Sequence, residues 1–164
     1  LREILLEAGA EQNIREFGFY AMNALRLEKS FGIWSAEFTQ DRTPGMTGMD
    51  RWIDWSRDDF IGHEAASQER SEGKVSQRLV TLEIDADDAD ASGYEPIWQN
   101  DKRVGFVTSG GYGHYTGKSL AMGLLDTGVN EADGPLMVDV VGKRRGAHTL
   151  AEPAWDPKGT RMRI

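Results

Sequence analysis

The sequence contains no cysteine among its 164 residues, and this absence excludes disulfide frameworks, thiolate catalysis and cysteine-ligated metals. Such a composition suits a reducing compartment, and we predict a cytoplasmic location. Long apolar runs are also missing, since none approaches the roughly 20 residues of a membrane-spanning helix. Basic residues are outnumbered, 19 against 27 acidic ones, for a formal net charge of −8. This charge disfavours nucleic acid or an anionic membrane as the main partner.

The segment GHYTGKS ends like a phosphate-binding loop but lacks its first glycine. That loop requires glycine, four residues, and then Gly-Lys-Ser or Gly-Lys-Thr. The position where the first glycine belongs holds Tyr112. After Lys118, SLAMGLL alternates like a strand, whereas a phosphate loop leads into a helix. We therefore predict that the glycines, with Ser109, form a turn between two strands rather than a nucleotide site.

Metal-binding patterns are incomplete as well. HEAAS begins like a zinc-protease motif, but its fifth position is Ser67 instead of a second histidine. The three histidines share no ligand spacing: His63, His114 and His148. In DADDADASG the third alternate position, which an EF-hand loop needs as an acceptor, is Ala89. We predict no metal site and a solvated acidic loop.

The first half of the chain has helical patterns. LREILLEAG predicts a short helix that Gly9 ends in a left-handed conformation. A second helix has one apolar face, formed by Phe17, Tyr20, Ala21, Ala24 and Leu25, and an opposite face with Asn23, Arg26 and Lys29. Residues 31–55 predict a long structured loop rich in aromatics. A polar surface helix follows, with Asp58 or Asp59 as N-cap and Gly73 at its end.

The second half has strand patterns. Val80, Leu82 and Ile84 alternate with polar residues, which indicates a half-buried strand. Hairpins are predicted to turn at Asn100-Asp101 and near Gly142-Lys143. Short strands without intervening helices favour a small antiparallel barrel or sandwich. We therefore predict an α+β chain with a boundary near residues 73–76, which divides it into segments 1–74 and 75–164.

A candidate binding site lies where the second helix ends. Arg26 and Glu28 precede an aromatic loop that contains Trp34. An arginine beside aromatic rings suits a flat anionic ligand, because rings stack and a guanidinium binds a carboxylate. Arg57 is either a second anion contact or a surface residue. The alternative for Arg26 and Glu28 is a structural ion pair. Trp52 and Trp55 are interpreted as core or interface residues.

Four blocks of the sequence carry a family resemblance: GFYAMNALRLEKSFGIWSAEFTQDRTP, DFIGHEA, RLVTLEIDADDADASGYEPIW and GFVTSGGYGHYTGKSLAMGLL. Together they resemble the C-terminal half of the glycine-cleavage T-protein (aminomethyltransferase) family. Within it they are similar to the folate-binding C-terminal part of FAD-dependent dimethylglycine and sarcosine dehydrogenases. The resemblance runs from about residue 10 to the end of the chain, in the family's order.

The resemblance implies a function and its cofactors. Residues 1–74 would be the C-terminal part of a folate-binding α+β domain, and residues 75–164 a C-terminal β-barrel. The enzyme would transfer a one-carbon unit from a methylated amine to tetrahydrofolate, and FAD would lie in an upstream domain or subunit outside this segment. We therefore expect Arg26, Glu28, Trp34 and Arg57 to contact the folate cofactor. The segment alone is expected to be inactive and to be the C-terminal part of a larger protein.

Several positions depart from the family pattern. The family's catalytic aspartate lies upstream of this segment, so no catalytic residue is assigned here. Met22 stands where T-proteins have an arginine that contacts the folate tail, and Met46 replaces a glutamate. The tyrosine that many T-proteins carry near the C-terminus has no match. These departures leave two alternatives: a non-catalytic structural or docking module of an oxidoreductase, or a folate-dependent demethylase of another small methylated compound, such as a sulfonium.

Overall fold

A closed antiparallel β-barrel follows a helical segment in the computed structural model, which describes residues 1–161 and 163. Within these residues the barrel has six strands: β1 (Gln77–Ile84), β2 (Pro96–Gln99), β3 (Lys102–Gly113), β4 (Lys118–Asp126), β5 (Leu136–Val140) and β6 (Lys143–Leu150). Their order is β1-β4-β3-β2-β5-β6, and β6 closes the barrel on β1. The α+β class with a small antiparallel barrel is confirmed. The division at residues 74 and 75 stays a prediction.

The barrel interior holds the hydrophobic core, which includes Leu82, Ile97, Val107, Leu125 and Val138. Strand β5 alternates between buried and half-buried residues, as expected for a strand with one covered face. Strand β4 is different, because every residue from 119 to 125 is buried. One face of β4 lines the barrel, and the helical segment contacts its other face. SLAMGLL is therefore a strand covered on both sides.

Two hairpin turns show how local sequence sets the chain direction. Asn100 and Asp101 both have positive φ, 49° and 60°, so the turn predicted there is confirmed. The second hairpin turns at Val141 and Gly142, with φ of 47° and 73°. The predicted position, near Gly142-Lys143, is therefore one residue too far toward the C-terminus, because Lys143 already pairs with Val140 in the ladder.

The turn predicted between two strands within GHYTGKS is present, but Ser109 and the glycines at 110, 111 and 113 lie inside β3, so their prediction as turn residues is wrong. The turn to β4 lies at residues 114–117 instead. Glycine is needed within the strand because other chain segments approach it closely. A Cβ on Gly110 would lie 2.4 Å from the Ala91 carbonyl oxygen, and one on Gly113 would lie 3.0 Å from the Glu28 side chain.

The helices are α1 (Arg2–Ala8), α2 (Phe19–Glu28), α3 (Pro44–Thr47) and α4 (His63–Glu72), with 3-10 turns at Ala10–Gln12, Asp50–Trp52 and Glu131–Asp133. Helix α1 ends at Gly9 as predicted, but Gly9 has φ of −91° and is not left-handed. Helix α4 ends at a left-handed Gly73, which confirms that prediction. Its N-cap is Gly62, so the prediction of Asp58 or Asp59 is wrong; Asp59 binds Arg57 instead.

The packed face of α2 is opposite to the prediction. Tyr20 and Leu25 of the expected apolar face are exposed, and Phe17 precedes the helix. The buried residues are Leu27 and Glu28. Periodicity therefore identified the helix, but polar contacts to the barrel decided which side packs within this chain.

The aromatic region 31–55 contains α3 and a 3-10 turn within the predicted loop. Trp52 is largely exposed, and Trp55 is half-buried beneath the Arg70 guanidinium, 4.5 Å from its ring centroid. Neither tryptophan belongs to the barrel core. Across the part of the chain that the structure describes, every helix is too short or too polar to span a bilayer.

Candidate functional site

A buried carboxylate joins the helical segment to the barrel. Glu37 is 0% exposed. Its Oε1 accepts hydrogen bonds from Thr108 Oγ1 at 2.6 Å and from the Ser109 hydroxyl. Its Oε2 accepts from the Ile33 backbone N–H at 2.8 Å and from Arg26 Nη1 at 3.0 Å. Four donors thus compensate the lost hydration of this charge, as a buried carboxylate requires.

Arg26 is held in place by several acceptors. Its Nε and Nη2 donate to Asn23 Oδ1 at 2.9 and 2.7 Å, and its Nη1 also lies 3.3 Å from the Phe31 carbonyl oxygen. Burial lowers the pKa of Arg26 from its ordinary value, and the attraction of Glu37 opposes that shift. The guanidinium stays charged at neutral pH, because the ordinary pKa of an arginine lies far above neutral pH. A ligand would meet a side chain whose donors are mostly engaged.

Glu28 anchors the turn between β3 and β4. Its Oε1 accepts from the Tyr115 N–H at 2.9 Å, the Thr116 N–H at 2.8 Å and Thr116 Oγ1 at 3.1 Å. The alternative ion pair between Arg26 and Glu28 is wrong, since Arg26 pairs with Glu37. Residues two apart on a helix point in different directions, which explains why these two have separate partners.

Trp34 and Arg57, the other predicted contacts, are open to solvent. Trp34 is 75% exposed, in a loop where residue 34 forms a backbone bridge with Phe38. The Arg57 side chain is 64% exposed and binds Asp59 through two hydrogen bonds of 3.0 and 2.9 Å. In the described part of the chain, Arg57 makes no hydrogen bond to Arg26, Glu28 or Trp34. The structure therefore places Arg26 and Glu28 at the contact between the helical segment and the barrel. Trp34 and Arg57 lie outside that contact.

The sequence alone did not identify the contact that the C-terminal segment makes with α2. The Trp155 N–H donates to the Glu28 carbonyl oxygen at 2.9 Å. Lys29 Nζ lies 3.4 Å from Asp156 Oδ2 and 5.3 Å from the Trp155 ring centroid. Glu37 was missed too. No local pattern marks these residues, because their partners on the barrel or the C-terminal segment lie about 70 to 130 positions away.

The histidines have ordinary polar neighbours. His63 Nε2 lies 3.3 Å from Ser67 Oγ, and His148 Nε2 lies 3.7 Å from Glu83 Oε2. Among the described residues, three or more metal-ligating side chains of His, Cys, Asp or Glu do not come together.

Comparisons with known proteins find matches for both the helical segment and the barrel. The family model described as the glycine cleavage T-protein C-terminal barrel domain matches residues 77–156, and the GCVT N-terminal domain model matches residues 1–57. Human "Dimethylglycine dehydrogenase, mitochondrial" is 38% identical over 165 residues, which is 100% of this chain and 19% of that protein. The aminomethyltransferase of Geobacillus sp. strain WCH70 is 30% identical over 156 residues, which is 94% of this chain and 42% of that protein.

A solved structure shares the fold. The glycine cleavage system aminomethyltransferase T from Bartonella henselae superposes with a TM-score of 0.83 at 21% identity, over 95% of this chain and 44% of that chain. The present chain thus spans less than half the length of these relatives. With both halves of the chain matched in order and the barrel observed where the barrel-domain model matches, the chain belongs to the glycine cleavage T-protein family.

Proposed function

We propose that this chain is a C-terminal segment of a tetrahydrofolate-dependent one-carbon transfer enzyme, within an oxidoreductase that resembles dimethylglycine and sarcosine dehydrogenases. The observation that carries the proposal is the match of residues 1–57 and 77–156 to the two family models, in order. The identity of 38% to a dimethylglycine dehydrogenase along the whole chain supports the dehydrogenase-like branch. Since the chain corresponds to 19% of that relative, the segment alone is expected to be inactive.

The residues fit a folate cofactor in part. Tetrahydrofolate presents flat rings and an anionic tail, and it accepts the one-carbon unit. The exposed Trp34 ring offers a stacking face, and the exposed Arg57 guanidinium offers a carboxylate contact. Glu28 is buried, Arg26 is partly buried, and both are engaged within the chain, so in this proposal they mainly hold the end of α2 and the neighbouring turn in position. FAD is assigned to a domain or subunit outside this segment, together with the catalytic residues.

A second candidate function is a non-catalytic structural or docking module of a multi-domain oxidoreductase. Two observations favour it: Arg26 and Glu28 have their acceptors and donors inside the chain, and α2 exposes Tyr20 and Leu25. A surface of this kind suits a protein interface. A cytoplasmic location also stays a prediction, because the human relative is named as mitochondrial.

Calorimetric titration of the whole protein with tetrahydrofolate separates the two functions. We expect saturable heat at micromolar ligand and a dissociation constant that rises roughly tenfold in Trp34→Ala, since stacking of a nucleic-acid base, another flat heterocycle, on an aromatic side chain contributes about 1–3 kcal/mol. Trp52→Ala is the matched control, because that ring is similarly exposed at 73%. Arg57→Gln should also weaken binding.

The outcomes are distinguishable. Absence of heat at high micromolar tetrahydrofolate would contradict the folate function and leave the docking module as the remaining candidate function. Binding that is equally strong in Trp34→Ala, Arg57→Gln and the wild type would preserve the function but refute the assignment of these two residues.

A further inference from the structure

An open groove of about 990 Å³ runs along the side of the barrel, and neither Trp34 nor Arg57 lines it. It lies between the start of β1, the end of β6, the loop after α3 and the C-terminal segment. Five of its lining residues are cationic: Lys29, Arg51, Arg78, Lys158 and Arg163. Among the described residues that line it, Glu152 is the one carboxylate. This concentration of positive charge is unexpected in a chain with a net charge of −8.

Three of these cations are not neutralised within the described part of the chain. Lys29 pairs with Asp156, but Arg51, Arg78 and Lys158 form no salt bridge there. Arg78 has a long hydrogen bond of 3.4 Å to a backbone carbonyl oxygen. Clustered cations without counter-charges create a local positive potential that attracts anions even on an acidic protein.

The groove also contains an open strand edge. Strand β6 pairs with β1 at Thr81–Ile84 and ends at Leu150, whereas β1 begins at Gln77. Residues 77–80 pair with β4 on their other side. The Asp85 N–H donates to the Gly146 carbonyl oxygen, and antiparallel strands alternate their bonding side with a period of two. The N–H and C=O of Leu79 therefore point to the open side, where no backbone partner is found among the described residues.

We propose that this groove binds an extended acidic peptide segment of a partner protein by strand addition along residues 77–80 of β1. An unpaired strand edge is a template for another strand, and main-chain hydrogen bonds supply affinity in this mode. Carboxylates of the peptide pair with Arg51, Arg78 and Lys158, which selects an acidic sequence over a basic one. The exposed Trp52 ring, 5.5 Å from the Arg51 guanidinium, covers the flank of the groove. This interaction is independent of folate binding.

The test uses acetyl-(Glu-Val)4-amide as the probe, titrated into the whole protein by calorimetry. We expect saturable binding that weakens with salt. Arg78→Gln and Lys158→Gln should each weaken it about threefold, as expected for exposed charge pairs. Arg103→Gln, another exposed strand arginine outside the groove, should leave it unchanged. Binding should fall by at least tenfold for acetyl-(Lys-Val)4-amide.

Strand addition is separated from simple anion binding by two further measurements. Hydrogen exchange of the Leu79 amide should slow when the acidic peptide binds, and tripolyphosphate should not slow it. A peptide with alternate backbone nitrogens methylated should bind at least tenfold more weakly. The proposal is overturned by equal binding of the methylated or lysine peptide, by Leu79 exchange that the peptide leaves unchanged, or by no binding at millimolar peptide.

Discussion

The barrel and the helical segment before it are held together by different forces. Among the described residues, Leu27 and Met46 are the buried hydrophobic side chains that precede residue 77; the rest belong to the barrel and its loops. The helical segment instead exposes large apolar side chains, such as Ile4, Phe19 and Tyr20. Its buried contacts are largely ionic and polar.

This difference shows what positions the helical segment. Glu28, Lys29 and Glu37 are buried, and each binds a group on the barrel or on the C-terminal segment. Burying a charge costs hydration, so such contacts add little net stability, but losing one partner is costly. The barrel therefore supplies an apolar core, and the buried charges define where the helical segment sits on it.

The largest expected effect comes from Glu37→Ala. The substitution leaves the partly buried Arg26 without its counter-ion and removes the acceptor of Thr108 and Ser109. We expect the free energy of unfolding to fall by about 3–5 kcal/mol. Urea unfolding followed by tryptophan fluorescence measures it.

Glu11→Ala serves as the control for Glu37→Ala, because Glu11 is exposed and should change the stability by less than about 0.5 kcal/mol. The double variant Arg26→Met, Glu37→Leu should recover only part of the loss, since an apolar pair of similar size replaces the ions but leaves the Ser109 hydroxyl and the Ile33 N–H without their acceptor. A loss below about 1 kcal/mol in Glu37→Ala would show that this ion pair does not hold the two regions together.

The next comparison uses two leucines on α2. Leu27 is 0% exposed and packs 3.6 Å from where a Cβ of Gly111 would lie, whereas Leu25 is 51% exposed. Leu27→Ala should destabilise by about 2–4 kcal/mol and Leu25→Ala by less than about 1 kcal/mol. Thermal unfolding of both variants measures the difference. Equal losses would mean that the face with Tyr20 and Leu25 is covered in solution.

Val141→Asn is expected to stabilise the barrel. Val141 is an exposed β-branched residue with φ of 47°, at the first central position of a two-residue hairpin turn. Asparagine tolerates positive φ and precedes Gly142 in the favoured order for this turn. We expect a gain of about 1 kcal/mol in unfolding free energy. Val141→Thr, which keeps the β-branch, should show no gain, and a gain there would point to another cause.

The smallest effect concerns pH. Arg145 donates to Asp88, and with Lys143 it holds the pKa of that carboxyl below its ordinary value of 3.8. Because the folded pKa is lowered, the contribution is present above the unfolded pKa and is lost as pH falls through the folded pKa. The stability difference between the wild type and Asp88→Asn should therefore shrink as pH falls below about 4. A difference that is constant from neutral pH to about pH 2 would contradict this.

Elements were predictable where the signal is local. Asn100-Asp101, Gly73 and the alternation at Val80, Leu82 and Ile84 were sufficient because each pattern acts within a few residues. The Walker-like segment was rejected on its spacing and on the strand pattern after Lys118, and a strand does follow it. The same reasoning misplaced the glycines of β3, because a close approach of distant backbone leaves no pattern in the sequence.

The candidate site was predictable to a lesser extent. The sequence placed Arg26 and Glu28 at the end of a helix, as observed, but it did not indicate which residues they bind. As ligand contacts, these two residues, Trp34 and Arg57 stay predictions. Glu37 lay unnoticed in a loop, since nothing near it in the sequence indicates that it would be fully buried.

The sequence by itself determined the class of the protein, the sheet-rich second half and the family to which its four blocks belong. Those features depend on composition, on a period of two and on short motifs. The tertiary structure alone decided which face of α2 packs, where Glu37 finds its donors and which edge of β1 is left unpaired by the described residues. The physical reason is distance along the chain: Glu37 and Thr108 are 71 residues apart, and folding brings them within 2.6 Å.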